Sequence, residues 1–287
     1  MFKAARKKIP FKIRKYFRNP FREAYYHGTA RWRALPDFII IGVMKSGTTS
    51  LFDYLKQHPR IYGSRKKEIH YFDWNHGKKA NWYRSYFPFR HVQSNGYITG
   101  EASPLYILLP PVAQRIYSFL PEVKLIAILR NPTDRALSHY YHAVKSGHEK
   151  MSIMEALNAE EDRTKASWDK VISGDCSYDH AIIWFTYKQR GLYLQQIQHY
   201  LQYFPREHLL LESTENLQAN PDETLSRIFT FLGVEPCHLS HLVMRNKNTN
   251  KKEVSSEVYR HLDTYFKPHN EELFAFLGKD FGWNNSD

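Results

Sequence analysis

The stretch from Asp37 to Leu55 constrains this chain more than any other. Asp37-Phe38-Ile39-Ile40-Ile41-Gly42 is a short, continuous apolar run rich in β-branched residues, the pattern of a strand buried on both faces. It runs straight into Gly42-Val43-Met44-Lys45-Ser46-Gly47-Thr48-Thr49, and Ser50-Leu51-Phe52-Asp53-Tyr54-Leu55 then follows helical spacing. Two more apolar runs, Val123–Leu129 and His208–Glu212, read as buried strands. Helical periodicity covers Thr133–Val144, Leu192–Phe204, Asp222–Leu232 and Val254–Phe266. Strands alternating with helices predict an α/β fold of three layers, a central parallel sheet flanked by helices on both faces.

The first loop also predicts a ligand. Gly42 and Gly47 stand at the spacing of a nucleotide P-loop, which makes the fold P-loop-like, with one change. Thr48 occupies the position where such a loop carries its lysine, and the lysine is Lys45, three residues earlier. The loop amides and the helix N-terminus behind them still favour an anion. Thr48 and Thr49 add hydroxyl donors, and Lys45 reaches the outer end of the bound group as a point charge. The strand Leu125–Leu129 ends in Arg130, where a magnesium-dependent nucleotidase would have an aspartate. An arginine there suits a second phosphate and repels a metal ion, which reads against a P-loop kinase. Cys176 and Cys237 are the only cysteines, too few for a disulfide scaffold or, unaided, a zinc site.

The net charge of +12 suggests a nucleic-acid binder until its distribution is read. Residues 1–36 hold eleven Lys/Arg against the single acid Glu23, leaving the rest near neutral, so no nucleic-acid partner is expected. The chain therefore divides into a basic arm, residues 1–35, and a domain, residues 36–287. In the arm, cations alternate with Phe2, Ile9, Phe11, Ile13, Phe17 and Phe21. That pattern suits an anionic membrane surface or an acidic polymer, and equally a solubilising tail. No apolar run reaches the roughly 18–20 residues of a membrane span, and no signal peptide is visible. The simplest placement is cytoplasmic, at a membrane surface; the alternative is a Golgi enzyme without its anchor.

The loop and the arginine-ended strand together resemble sulfotransferases that use 3'-phosphoadenosine 5'-phosphosulfate (PAPS). Lys45-Ser46-Gly47-Thr48-Thr49, continuing into Ser50, is similar to the family loop for the 5'-phosphosulfate. Arg130, with Ser138 eight residues on, matches the pair for the 3'-phosphate. Lys67-Glu68-Ile69-His70-Tyr71-Phe72-Asp73 and Gly100-Glu101-Ala102-Ser103-Pro104-Leu105-Tyr106 look most like the heparan sulfate N- and 3-O-sulfotransferase branch. Arg190-Gly191-Leu192-Tyr193, Phe231-Leu232-Gly233 and Leu277–Trp283 also look familial.

The resemblance implies metal-independent transfer of a sulfuryl group from PAPS to a hydroxyl or amine of a glycan or glycoconjugate. Lys45 would stabilise the leaving phosphate and Glu68 would act as base, with His70 supporting it. The nucleotide set extends to Tyr193 and to a basic covering loop with Lys247, Lys251 and Lys252. Each role has a plainer alternative: Glu68 as an ion pair with Lys66 or Lys67, His70 as a core histidine, Glu101 as a buried hydrogen-bond acceptor. His139, His142, His238 and His241 read as packing or surface residues. Arg65, Lys66, Lys67, Lys78 and Lys79, with Trp74, Trp82 and Tyr83, would suit a sugar polymer. Leu239–Asn250 lacks the cysteine pair of animal heparan enzymes, which leaves the polysaccharide open; a sulfotransferase for a lipid or small molecule shares every nucleotide motif and is the alternative. A non-enzymatic polyanion binder working through the arm is the other.

Overall fold

The computed structural model describes residues 20–243 and 254–284. Lys247, Lys251 and Lys252 fall outside the described residues. Five strands, β1 (Phe38–Gly42), β2 (Ile61–Gly63), β3 (Ile98–Ala102), β4 (Lys124–Leu129) and β5 (Leu209–Ser213), form one sheet in the order β2-β3-β1-β4-β5. Every pairing is parallel, with Phe38 opposite both Gly100 and Lys124, and Leu125 opposite Leu209. The expected three-layer architecture is the one observed.

Alternation along the strands explains why β1 and β4 read as unbroken apolar runs. Ile39, Ile41, Leu125, Ala127 and Leu129 enter one core layer, with Ile116 of helix Pro110–Phe119 and Ile197 of helix Tyr193–Leu201. Phe38, Ile40, Ile126 and Ile128 enter the opposite layer, against helices Thr48–Leu55 and Pro221–Leu232. Both faces are dry, so both parities of side chain are hydrophobic.

Two strands escape the sequence pattern. β2 has only three residues, and β3 carries Thr99, Gly100 and Glu101, all polar or without a side chain yet buried. Glu101 sits in the sheet because its carboxylate accepts from Tyr83 Oη (2.6 Å) and Ser103 Oγ (2.8 Å). The C-terminal helix is also longer than its periodicity suggests, running Ser256–Leu277 through Pro268.

The N-terminal region does not stop packing at residue 36. Helix Pro20–Gly28 and the 3-10 turn Ala30–Trp32 lie against the domain. Ala30, Arg33 and Ala34 are buried. Arg33 Nη1 donates to Phe87 O (2.8 Å) and Ala34 N to Pro88 O (2.9 Å). Residues 20–35 are thus continuous with the domain.

Candidate active site

In a parallel sheet, ligands bind beyond the carboxyl ends of the strands, where successive connections diverge. Here the chain leaves β1 toward β3 and leaves β4 toward β5, so the divergence lies between β1 and β4. The Lys45 loop follows the first strand and Arg130 the second.

The loop is held open by its own backbone. Lys45 and Gly47 both have positive φ, 74° and 82°; the second is ordinary for glycine and the first is strained for lysine. Gly42 is required for a different reason, since a Cβ there would lie 2.4 Å from Ile107 Cγ2. The loop carbonyls are turned outward onto donors: Arg130 Nη1 donates to Lys45 O (3.2 Å), and Thr214 Oγ1 lies 2.9 Å from both Ser46 O and Leu129 O. Gly47, the N-cap of helix Thr48–Leu55, offers no side-chain cap. Ser46 Oγ is buried without a hydrogen-bond partner. An uncapped helix start beside an orphaned hydroxyl is a site for an oxyanion.

The electrostatics agree. Burial, then the charges of Arg130, Arg135 and Lys145, pull the Lys45 ammonium down to about 8. Arg135 is fully buried, is itself lowered to about 10 by burial, and leaves Nε and Nη1 without partners. Crowding cations this way is unfavourable until an anion joins them. The donor set therefore fits a phosphate-rich ligand.

The remaining nucleotide candidates divide. Thr48 and Thr49 open the helix, whereas Ser50 turns inward and hydrogen-bonds Tyr54, leaving only its backbone N–H toward an anion. Arg130 is half-buried and pairs with Asp134 (3.3 Å). Ser138 lies on the half-buried stripe Asn131, Asp134, Ser138, Tyr141, His142 of helix Pro132–Lys145. Tyr193 is buried, and its hydroxyl donates to Arg130 O (2.7 Å). That bond ties the start of helix Tyr193–Leu201 to the end of β4.

Across from this cradle, the Lys66–Asp73 segment runs along the end of β3, fixed by Glu68 N donating to Ala102 O (2.9 Å). Glu68 and His70 both adopt positive φ, 59° and 57°, a cost concentrated at functional positions. The Glu68 carboxylate pairs with Lys67. His70 Nδ1 lies 2.8 Å from Asp73 Oδ2, and its ring stacks on Trp74 at 3.6 Å. The carboxylate can only accept here, so Nδ1 carries the proton and Nε2 is left as the acceptor in the neutral ring. Trp74 in turn meets the exposed Tyr178 edge-on, extending an aromatic wall outward.

Three residues join the candidate site; sequence reasoning passed over two of them and read His142 as a packing or surface residue. Asp73 orients His70, and its i+3 spacing was the available signal. Thr214 clamps the loop from the end of β5, a role that only the sheet order discloses. His142 is half-buried against Trp184; burial, then Lys45, Lys145 and His148, lower its pKa, while Glu68 raises it. Lys45 and Glu68 thus both act on it electrostatically, and it stands one turn beyond Ser138, whereas the fully buried His139 accepts the packing role, with Nε2 3.0 Å from Ile183 O.

Residues 35–286 match the family model described as "Sulfotransferase domain". Among curated proteins, the chain is 27% identical to "Membrane-associated sulfotransferase kil1" of Dictyostelium discoideum, over 88% of this chain and 67% of that protein. It is 29% identical to heparan sulfate glucosamine 3-O-sulfotransferase 3B1 of Homo sapiens, over 88% of this chain and 66% of that protein. The chain thus spans about two thirds of the length of these relatives. A solved sulfotransferase from Alicyclobacillus acidocaldarius superimposes with a TM-score of 0.66 at 30% identity, covering 88% of this chain and 100% of that one.

Proposed function

This chain belongs to the sulfotransferase family, and from that premise we propose that its donor is PAPS and its acceptor a hydroxyl or amine of a glycan or glycoconjugate. The observation that carries the donor is the cradle itself: an uncapped helix start, an orphaned Ser46 hydroxyl and the desolvated Lys45 on one side, Arg130 on the other. Two anion sites set apart on neighbouring strands suit a nucleotide phosphorylated at both 5' and 3' positions.

In the proposed reaction, the acceptor oxygen or nitrogen forms a bond to sulfur as the bridging S–O bond to the 5'-phosphate breaks. Lys45 faces the departing phosphate oxygen and stabilises the charge that grows there. Glu68, paired with Lys67, takes the acceptor proton. His70, held by Asp73, orients the acceptor through Nε2. The Trp74–Tyr178 wall supports a glycan, because flat exposed rings match the apolar faces of sugars. A lipid or small-molecule acceptor would use the same donor site.

Isothermal titration with 3',5'-bisphosphoadenosine and with its analogue lacking the 3'-phosphate tests the donor. Loss of the Arg130 contact, worth about 1.5–3 kcal/mol, should weaken the analogue at least tenfold; equal affinity would refute the assignment. Radiolabelled PAPS presented with a panel of glycans and glycolipids then identifies the acceptor class.

A further inference from the structure

The site leaves the basic N-terminus without a role, and its described part has a definite form. Glu23, the one acid among residues 1–36, is turned inward, each carboxylate oxygen accepting from Arg65 at 3.0 Å. Arg65 lies 4.3 Å over the Tyr26 ring and 4.6 Å over that of Tyr86. Arg33 is likewise drawn inward, 4.6 Å over Tyr26 and 4.4 Å over Phe89. The inner face is therefore fixed to the domain by one ion pair and by cations lying over rings.

The outer face is the opposite. Helix Pro20–Gly28 has no buried residue. Phe21, Tyr25 and Trp32 are 84%, 53% and 51% exposed, next to Arg22 and Arg31, whose guanidinium lies 4.0 Å over Trp32. Residues 1–19 add eight further Lys/Arg and no acid. Tyr25 also touches Arg33, whose guanidinium lies 5.5 Å over its ring, and Arg22 touches Tyr26, yet exposed rings among cations, with the one acid withdrawn, match the headgroup boundary of an anionic membrane.

We propose that the outer face of residues 20–32 is a docking surface for an anionic lipid bilayer, with Phe21, Tyr25 and Trp32 entering the interface and Arg22 and Arg31 meeting lipid phosphates. An anionic polysaccharide would satisfy the cations, but Phe21, 84% exposed, offers it no polar partner. A bilayer accepts both. Docking also has a consequence for the site: Arg65, gripped by Glu23, is three residues before Glu68, so the acceptor side of the cleft is held in a fixed relation to the membrane.

The test is flotation of the full chain with phosphatidylcholine vesicles, with and without phosphatidylglycerol, a readout that involves no sulfuryl transfer. We expect binding only to the anionic vesicles, weakening as salt rises. Tyr25→Ala with Trp32→Ala should lower partitioning at least tenfold, and Arg31→Gln about fivefold. Circular dichroism and a thermal shift with 3',5'-bisphosphoadenosine should match the parent in every variant. No flotation of the parent, equal flotation of the ring variants, or binding to immobilised heparin without binding to vesicles would each overturn the proposal.

Discussion

At the scale of single residues, the site is a balance of charges that is incomplete without its ligand. Lys45 is lowered to about 8 by burial and by neighbouring cations, while a bound phosphate favours its charged form. Binding therefore takes up a proton wherever free Lys45 is neutral. Affinity for 3',5'-bisphosphoadenosine should be level between about pH 7, above the second phosphate pKa of about 6, and pH 8, and fall by about tenfold per pH unit above that, as calorimetry across that range would show. Lys45→Ala should abolish this dependence and cut turnover by about 10²–10³, with the circular dichroism spectrum unchanged. Asp73 acts through His70. Asp73→Asn should lower kcat and displace the pH–rate profile while leaving bisphosphate affinity as it was; an unaltered profile would make its role purely structural. Lys45, Glu68, Arg130 and Ser138 were legible as residues because their spacing lies within short segments. Asp73 was within the same reach, but its service to His70 depends on a ring orientation that spacing does not specify.

At the scale of elements, strand ends and helix starts do the positioning. Asn131 caps helix Pro132–Lys145 by accepting from Thr133 N and Asp134 N, which fixes the turn that carries Arg130. Asn131→Ala should cost about 1 kcal/mol of stability, read from the urea midpoint, and should also weaken bisphosphate binding. Gly42→Ala tests the closeness of β1 to the turn after β3. Its Cβ would fall 2.4 Å from Ile107 Cγ2, and relief by backbone shift should cost about 1–3 kcal/mol. The β1 and β4 strands were legible because burial on both faces leaves a continuous apolar run. β3 was not, because Glu101 is admitted to the sheet by hydroxyls of Tyr83 and Ser103, and Tyr83 is eighteen residues away.

At the scale of the whole molecule, residues 20–35 pack against the domain that follows them. Deleting residues 1–34 removes the Arg33–Phe87 hydrogen bond and the Glu23–Arg65 pair. The loss should be about 2 kcal/mol, or roughly 4–8 °C in melting temperature at this chain length, measurable by calorimetry; an unchanged transition would show that the packing of residues 20–34 is energetically idle. The sequence by itself determined the layer architecture and the anion loop, since both are written in local periodicity and in the order of neighbouring residues. Only the tertiary structure decided the strand order, the burial of Tyr193 behind Arg130, the arrival of Thr214 and His142 at the cleft, and the inward turn of Glu23. Each of those depends on which distant segments become neighbours, and contacts between segments leave no period in the chain.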